Sequence, residues 1–290
     1  MRLIAYQGST SPDVTSPNTT GPVMARVMAD GTLAVISSLD EFWSAPHAGL
    51  VAARQATPGA VTVDQVTHLP PVPPTAHVLC AGRNYAAHAA EASMPVPRTP
   101  ELFGRWPSTL TVSGRPVPVP PREDHLDWEG ELAVVLGSSL RDATVEQARA
   151  AIIGYLCFND LSARGFQRAS KQWTLGKNAD FSAPIGPWLV TADDIPEPDQ
   201  LRIVTRVNGE MVQDGHTGDM IFSAPEIAAY ASGCLTLRPG DVITTGTPEG
   251  VGFARQPPRF LHAGDTVEVE IEQIGRIVTP IVAALDRQPG

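Results

Sequence analysis

The sequence has few of the features that mark redox, secreted or membrane proteins. It contains only three cysteines, Cys80, Cys157 and Cys234, which form no Cys-x-x-Cys pair and lack the flanking residues of a nucleophile. Because each lies in an apolar stretch, we expect three buried, reduced thiols. No apolar run approaches the roughly 20 residues of a membrane span, and the apolar start of the chain is too short for a signal peptide. The expected location is therefore the cytoplasm.

Positive charge is also scarce. The 290 residues include 21 lysines and arginines against 31 aspartates and glutamates, giving a formal net charge of −10. This balance disfavours nucleic acid and anionic membranes as partners. An anionic substrate can still bind if the site supplies local positive charge, from a cation or from arginine and lysine. The length fits one large domain, or a large domain with a small appendage.

A proline-rich segment divides the chain into two parts. Residues 1–70 predict a small N-terminal domain or appendage, with a hairpin that turns at Asp30-Gly31 and a short helix after it. Residues 68–77 include four prolines and predict a linker or extended strap. Residues 71–290 form the second part and contain most of the strand signals.

The second part predicts mostly strands and few helices. Asn208-Gly209 is a strong signal for a two-residue hairpin turn, and a later turn is predicted at Ile274-Gly275. The clearest helix begins after Ser223, which is a favourable N-cap. The pattern is α+β and mostly β, and it predicts a rolled or barrel-like arrangement of sheets.

Two glutamates provide the most informative motif. Glu129 and Glu131 precede an apolar run, and alternation along a strand directs both side chains to the same side, with Leu132 and Val134 on the other. Like charges this close repel each other unless a cation lies between them. Carboxylate oxygens suit Mg²⁺, Mn²⁺ or Ca²⁺. The alternative interpretation is a pair of solvated glutamates on an exposed strand.

Further polar residues follow the next apolar strand. Asp160 ends that strand and is either a third ligand or the cap of a turn. If the segment after it is a short helix, Asp160, Arg164 and Gln167 lie on one face. Lys177 is predicted to lie in a loop. Taken singly, each of these basic or polar residues is more often a surface group than a catalytic one.

In their order along the chain, these motifs resemble the fumarylacetoacetate hydrolase family, specifically its C-terminal catalytic domain, from about residue 78 to 282. The matching segments are Gly82-Arg83-Asn84-Tyr85 with His88 and Glu91, Glu129-x-Glu131, Asn159-Asp160-Leu161-Ser162-Ala163-Arg164 with Gln167, 172–177, Gly186-Pro187, Val207-Asn208-Gly209, 219–222, Gly240-Asp241 and 244–252. Each segment is weak alone, but their common order is highly specific.

The resemblance implies a mixed β-sandwich roll, a homodimer, a Mg²⁺ cofactor (or Mn²⁺ or Ca²⁺) and a small oxo-acid substrate. It assigns site residues by position: metal ligands Glu129, Glu131 and Asp160; catalytic residues His88, Glu91 and Lys177; and substrate-binding residues Arg105, Arg164, Gln167 and Thr247. Two positions depart from the family pattern. Gly165 stands where the family usually has aspartate, and Ala179 stands where many members have phenylalanine.

The expected reaction is hydrolysis of a C–C bond in a 1,3-diketo or acylpyruvate-type acid through a metal-bound enolate. In this reaction His88, held by Glu91, deprotonates a water molecule. The same site would also serve an isomerase or tautomerase, a decarboxylase or a hydratase acting on a 2-oxo acid. A non-catalytic, metal-binding family member is a third alternative.

Overall fold

The computed structural model of the chain describes residues 1–8 and 21–284. This part of the chain is mostly β and contains eighteen strands and seven α-helices. The strands are β1 Arg2–Gln7, β2 Pro22–Val27, β3 Leu33–Ser38, β4 His68–Leu69, β5 Val78–Ala81, β6 Leu102–Arg105, β7 Leu110–Val112, β8 Val117–Pro118, β9 Leu126–Asp127, β10 Gly130–Leu136, β11 Ile152–Asn159, β12 Ser162–Ala163, β13 Ala183–Thr191, β14 Arg202–Val207, β15 Glu210–His216, β16 Val242–Thr244, β17 Thr266–Ile271 and β18 Gly275–Val282. The helices are α1 Leu39–Ser44, α2 Pro46–Gln55, α3 Ala86–Glu91, α4 Val145–Ala151, α5 Arg164–Arg168, α6 Thr174–Lys177 and α7 Ala224–Ser232.

Two large sheets pack face to face. The first has eleven strands, in the order β3-β2-β1-β13-β11-β10-β16-β5-β6, with β4 paired to β1 and β7 paired to β13. The second has the order β15-β14-β17-β18-β8. Neither sheet closes into a barrel within the described ranges, so the sandwich predicted from the sequence is confirmed and the barrel-like alternative is not.

The central strands β10 and β11 are buried along their whole length. On one face, Leu132 and Val134 pack with Ile203 of the second sheet and with helices α4 and α7. On the other face, Ala133 and Val135 pack against the N-terminal part of the chain. Burial on both faces explains why these strands are nearly continuous apolar runs in the sequence.

The N-terminal segment extends the large sheet. Strand β1 pairs with β13 and continues into the predicted hairpin β2–β3, which turns at Gly31 with a φ of 83°. Phe42 and Trp43 of α1 share a core with Val78 and Val135. The sheet and the core therefore continue across residue 70, the boundary predicted from the sequence.

The hairpin and cap predictions agree well with the structure. Asn208 and Gly209 both have positive φ, and Val207 pairs with Glu210, as the two-residue turn requires. Ser223 caps α7 in a capping box with Glu226.

Other local predictions were wrong in detail. The single helix predicted near residue 45 is two helices, because Ala45 precedes Pro46 and is non-helical. The later turn covers 272–274, since Gly275 already pairs with Ile271. Cys80 and Cys157 are buried as expected, but Cys234 is exposed just after α7. No helix in the described part of the chain has the length and apolar character to cross a membrane.

Candidate metal centre and active site

Three carboxylates converge where β10 begins and β11 ends. The antiparallel register pairs Gly130 with Asn159, so Glu129 and Asp160 lie side by side, each one residue outside its strand. The backbone N–H of Asp160 donates to the carbonyl of Glu129 over 2.8 Å. Glu129, Glu131 and Asp160 each offer an oxygen, and these oxygens lie within 4.8 Å of one another. The structure thus brings together all three predicted ligands.

The chemistry of this group fits a hard divalent cation. Glu131 is fully buried, and its Oε2 accepts a hydrogen bond from the Gly246 N–H over 2.9 Å. Its Oε1 is buried and has no hydrogen-bond partner in the described structure. Burial raises the pKa of Glu131, and the nearby carboxylates of Asp160 and Glu129 raise it further. A bound Mg²⁺, Mn²⁺ or Ca²⁺ would use the free oxygen and neutralise the repulsion.

Lys177 bridges two of the candidate ligands. Its Nζ lies 2.7 Å from Glu129 Oε2 and 2.6 Å from Asp160 Oδ2, and the side chain is 2% exposed. Burial opposes its charge, but Asp160 and Glu129 outweigh burial and raise the pKa of Lys177. Burial likewise opposes ionisation of Glu129, yet Lys177 and Arg164 lower the pKa of Glu129 to about 2. Lys177 lies in the one-turn helix α6 and not in the loop predicted for it.

Arg105 lies behind this group and away from solvent. Its side chain is fully buried in β6, and its guanidinium is bonded to Asp160 and to Ser182. The cavity beside the carboxylates is not lined by Arg105. These bonds hold Arg105 against Asp160, and the predicted contact between Arg105 and a substrate stays a prediction.

Thr247 is likewise engaged within the protein. Its hydroxyl donates to the Gly130 carbonyl over 2.9 Å and accepts from Gln213 Nε2 over 2.8 Å. The residue is 2% exposed and does not line the cavity. These bonds fix the start of β10, next to Glu129. The predicted contact between Thr247 and a substrate oxygen stays a prediction.

A cavity of about 380 Å³ opens beside Glu129. Its lining comprises Ala81, Gly82, Arg83, His88, Ala92, Met94, Phe103, Glu129, Arg164, Gln167, Arg168, Ser170, Trp173, Lys177 and Phe253. Five of the predicted site residues are among them, and Glu129 is the only carboxylate. Four lining side chains are cationic (Arg83, Arg164, Arg168 and Lys177) and one is a carboxylate, which meets the requirement for local positive charge at an anion site in an acidic chain.

Arg164 connects the cavity to a buried aspartate that the sequence analysis missed. Its Nη2 is ion-paired with Glu129 Oε1 at 2.7 Å, and its Nε donates to Asp127 Oδ2 over 2.9 Å. Its Nη1 donates to Gln167 Oε1 over 2.9 Å. Asp127 precedes Glu129 by two residues, and this continuation of the alternating carboxylates was the signal available in the sequence.

Asp127 also holds the loop that carries an aromatic wall of the cavity. It accepts hydrogen bonds from the N–H groups of Gly252 and Phe253 over 2.7 and 3.1 Å. Helix α5 begins only at Arg164, because the short strand β12 intervenes after Asp160. The prediction that Asp160 shares a helix face with Arg164 and Gln167 was therefore wrong, because Asp160 lies outside the helix.

His88 and Glu91 form the predicted pair on α3. His88 Nδ1 lies 2.8 Å from Glu91 Oε1, and Glu91 Oε2 accepts from the Gly250 N–H over 2.9 Å. The second bond ties α3 to the loop after β16. His88 lines the cavity and is 7% exposed, so a histidine with a fixed orientation faces the same space as Glu129.

The structure explains one departure from the family pattern. A Cβ atom at Gly165 would lie 2.9 Å from Glu123 Oε1 and 3.0 Å from its Oε2. The Glu123 side chain is buried and accepts hydrogen bonds from the N–H groups of His125 and Phe166. Glu123 thus borders the space into which a side chain at position 165 would extend. Ala179 lies outside the cavity, in a separate surface groove.

Comparison with known proteins agrees with this geometry. The family model described as "Fumarylacetoacetate (FAA) hydrolase C-terminal" matches residues 77–282. The human mitochondrial oxaloacetate tautomerase FAHD2A is 41% identical over 250 residues, which cover 84% of this chain and 80% of the human protein.

Solved structures show the same architecture. The 5-carboxymethyl-2-hydroxymuconate delta-isomerase from Mycobacterium smegmatis superposes with a TM-score of 0.77 at 31% identity, covering 99% of this chain and 100% of its own. The fumarylacetoacetate hydrolase from Exiguobacterium antarcticum also has a TM-score of 0.77, at 30% identity, covering 98% of this chain and 99% of its own.

Proposed function

This chain belongs to the fumarylacetoacetate hydrolase family, and from that premise we propose that it is a metal-dependent tautomerase or isomerase of a small 2-oxo acid such as oxaloacetate. The names of the human and M. smegmatis relatives support this reaction class over the C–C hydrolysis that was the first expectation from the sequence. The proposal therefore adopts the alternative that the sequence left open.

One observation carries the proposal. His88, held by Glu91, faces the same cavity as Glu129, one of the three candidate metal ligands. Tautomerisation moves a proton between the carbon next to a keto group and the oxygen of that group, and no bond of the carbon skeleton breaks. A base that takes the proton from one of these atoms and returns it to the other balances the reaction, and a site that stabilises charge on oxygen assists both transfers.

The residues divide the work as follows. A divalent cation held by Glu129, Glu131 and Asp160 would supply Lewis-acid stabilisation of the substrate oxygens. His88 exchanges the proton through Nε2, since Nδ1 is engaged with Glu91. Lys177 and Arg164, which are paired with the carboxylates, offer N–H donors beside the substrate oxygens, and Gln167 keeps Arg164 in place.

C–C hydrolysis at the same site is the second candidate. The E. antarcticum protein is named a fumarylacetoacetate hydrolase, and the His88–Glu91 pair could deprotonate a water molecule as readily as a carbon acid. The two reactions differ in their products. Tautomerisation leaves the mass of the substrate unchanged, whereas hydrolysis divides an acylpyruvate into pyruvate and a second acid.

The test supplies enol-oxaloacetate and an acylpyruvate to the Mg²⁺-loaded protein. We expect the ultraviolet absorbance of the enol to decay faster than in buffer, and EDTA to remove this acceleration. His88→Ala should lower turnover by roughly 10²–10⁴-fold. His47→Ala, which removes an exposed histidine from outside the cavity, should have no effect. Cleavage of the acylpyruvate without acceleration of enol decay would favour hydrolysis and overturn the tautomerase proposal.

Assembly and location are proposed on the same basis. We propose a homodimer, and the exposed side chains of Trp106 and Leu175 are apolar surface that a second subunit could cover. Light scattering should give about twice the 30.8 kDa of one chain. A cytoplasmic location stays a prediction, and the human relative is named as mitochondrial. Fractionation of cells that express the full chain tests it.

A further inference from the structure

The cations that line the cavity differ in whether a carboxylate of the protein already neutralises them. Arg83 is paired with Glu101 at 2.6 Å. Arg164 is paired with Asp127 and Glu129, and Lys177 contacts two of the candidate metal ligands. The charges of these three side chains are therefore largely balanced before any substrate binds.

Arg168 is the exception among the lining cations of the described structure. It is exposed, it lines the cavity, and its side chain makes no hydrogen bond or ion pair with any described residue. Its described contact is with an aromatic face, since its Cζ lies 4.7 Å from the centroid of the Phe253 ring. A guanidinium in this position keeps all of its N–H donors available to a ligand.

The same ring fixes the position of Arg168 relative to the metal centre. Arg164 lies one helical turn earlier on α5, and its Cζ is 4.5 Å from the centroid of the same Phe253 ring. Arg164 is in turn ion-paired with Glu129. Arg164 thus lies between Arg168 and the carboxylates, and Arg168 lies on the side of the cavity that faces solvent.

This arrangement has two levels of anion recognition. The inner level, Lys177 and Arg164, borders the candidate metal ligands and would face the carboxylate and adjacent oxygen of a 2-oxo acid. The outer level is Arg168. A 2-oxo acid with an uncharged tail has no group to pair with this arginine. A planar guanidinium whose orientation is restricted by a ring is suited to bidentate binding of a second carboxylate.

We propose that Arg168 binds the remote carboxylate of the substrate and so makes the site selective for dicarboxylic 2-oxo acids over monocarboxylic ones. This inference rests on the proposed function for the identity of the inner carboxylate, and it adds a specificity-determining residue to it. The cavity of about 380 Å³ has room for a small dicarboxylic acid.

The test compares two ligands that cannot tautomerise. Malate and 2-hydroxybutyrate share a 2-hydroxy carboxylate head, and they differ in whether the tail ends in a carboxylate or a methyl group. We would measure both affinities by calorimetry on the Mg²⁺-loaded protein, for wild type, Arg168→Gln, Arg168→Lys and Lys171→Gln. Lys171→Gln is the matched control, because it removes one nearby exposed positive charge that does not line the cavity.

We expect wild type to bind malate at least about 10-fold more tightly than 2-hydroxybutyrate, the range for one hydrogen-bonded charge pair. Arg168→Gln should remove this preference and leave 2-hydroxybutyrate binding unchanged, Arg168→Lys should keep part of it, and Lys171→Gln should keep all of it. The inference is overturned if wild type shows no preference for malate, or if Arg168→Gln retains that preference. It is also overturned if Arg168→Gln weakens the binding of both ligands equally, or if Lys171→Gln loses the preference for malate as well.

A kinetic measurement separates this inference from the proposed function. Oxaloacetate and its ester at the remote carboxylate are compared as tautomerase substrates of wild type and Arg168→Gln. The role of Arg168 is supported if Arg168→Gln loses the preference for the free acid, with a larger change in KM than in kcat. If wild type tautomerises neither compound while the malate preference still depends on Arg168, the proposed function fails and the assignment of Arg168 stands.

Discussion

The contact between Gly165 and Glu123 leads to a quantitative prediction. In Gly165→Asp, the new Cβ would lie 2.9–3.0 Å from both Glu123 carboxylate oxygens, so an aspartate at this exposed position would stand against the buried Glu123 carboxylate. Two like charges about 4 Å apart cost about 4 kcal/mol at an effective dielectric constant of 20. In a chain of this length, a loss of about 1 kcal/mol of unfolding free energy lowers the melting temperature by about 2 °C. The melting temperature of Gly165→Asp should therefore fall by about 8 °C.

The assay is a double-mutant cycle by thermal unfolding. Glu123→Ala alone should destabilise the protein, because the N–H groups of His125 and Phe166 lose their acceptor. In Glu123→Ala/Gly165→Asp, the new aspartate gains the vacated space and an acceptor is restored, so the double variant should be more stable than Gly165→Asp. Glu123→Gln/Gly165→Asp distinguishes charge from crowding, since it removes the repulsion and keeps the volume.

The control is Gly21→Asp, where an added Cβ meets no atom within 4 Å. It should change the midpoint by no more than a degree or two. If the effects of Glu123→Ala and Gly165→Asp simply add, the two positions do not share one carboxylate site and the explanation of the family departure is refuted.

Three further predictions concern the site itself. Glu131→Gln should weaken Mg²⁺ binding at least about 10-fold, measured by calorimetry. It should also raise the melting temperature in EDTA, because it removes one of several buried carboxylates that repel one another. Unchanged Mg²⁺ affinity would exclude Glu131 as a ligand. Glu91→Gln should lower kcat with little change in Mg²⁺ affinity, since Glu91 orients His88, and equal losses in both would indicate a folding defect instead. Gly176→Ala places a Cβ within 2.6 Å of Gln167 backbone atoms. The variant should therefore lose about 1–3 kcal/mol of unfolding free energy and have a higher KM. Wild-type stability would show that α5 and α6 can move apart without cost.

Ion pairs neutralise most, but not all, of the buried charge at the site. Asp127, Glu129, Glu131 and Asp160 are opposed by Lys177 and by the arginines bound to them, which leaves the acidic side in excess. That excess is concentrated on Glu131, whose Oε1 has no partner in the described structure. Because an isolated buried charge is costly, the group favours binding of a cation over remaining without one.

Much of the fold and of the candidate metal centre could be predicted from the sequence alone. Alternation placed Glu129 and Glu131 on one side of a strand, and the apolar run before Asp160 delivered it to the tip of the next. The pair His88 and Glu91, three apart, was already within reach on one helix turn. The positions of the carboxylates follow from alternation along a strand, which is local, whereas the His88–Glu91 pair was assigned from the resemblance to the family.

Other features were decided only by the tertiary structure. Arg105 is fifty-five residues from Asp160, and only the pairing of β5 and β6 beside the central strands directs it to Asp160 and away from the cavity. The continuity of the N-terminal strands with the main sheet depends on long-range pairing that no local pattern encodes. Whether a charge such as Arg168 remains without a partner is likewise fixed by which residues the fold brings near it. Sequence periodicity determines the direction of a side chain, but its partners follow from the packing of distant segments.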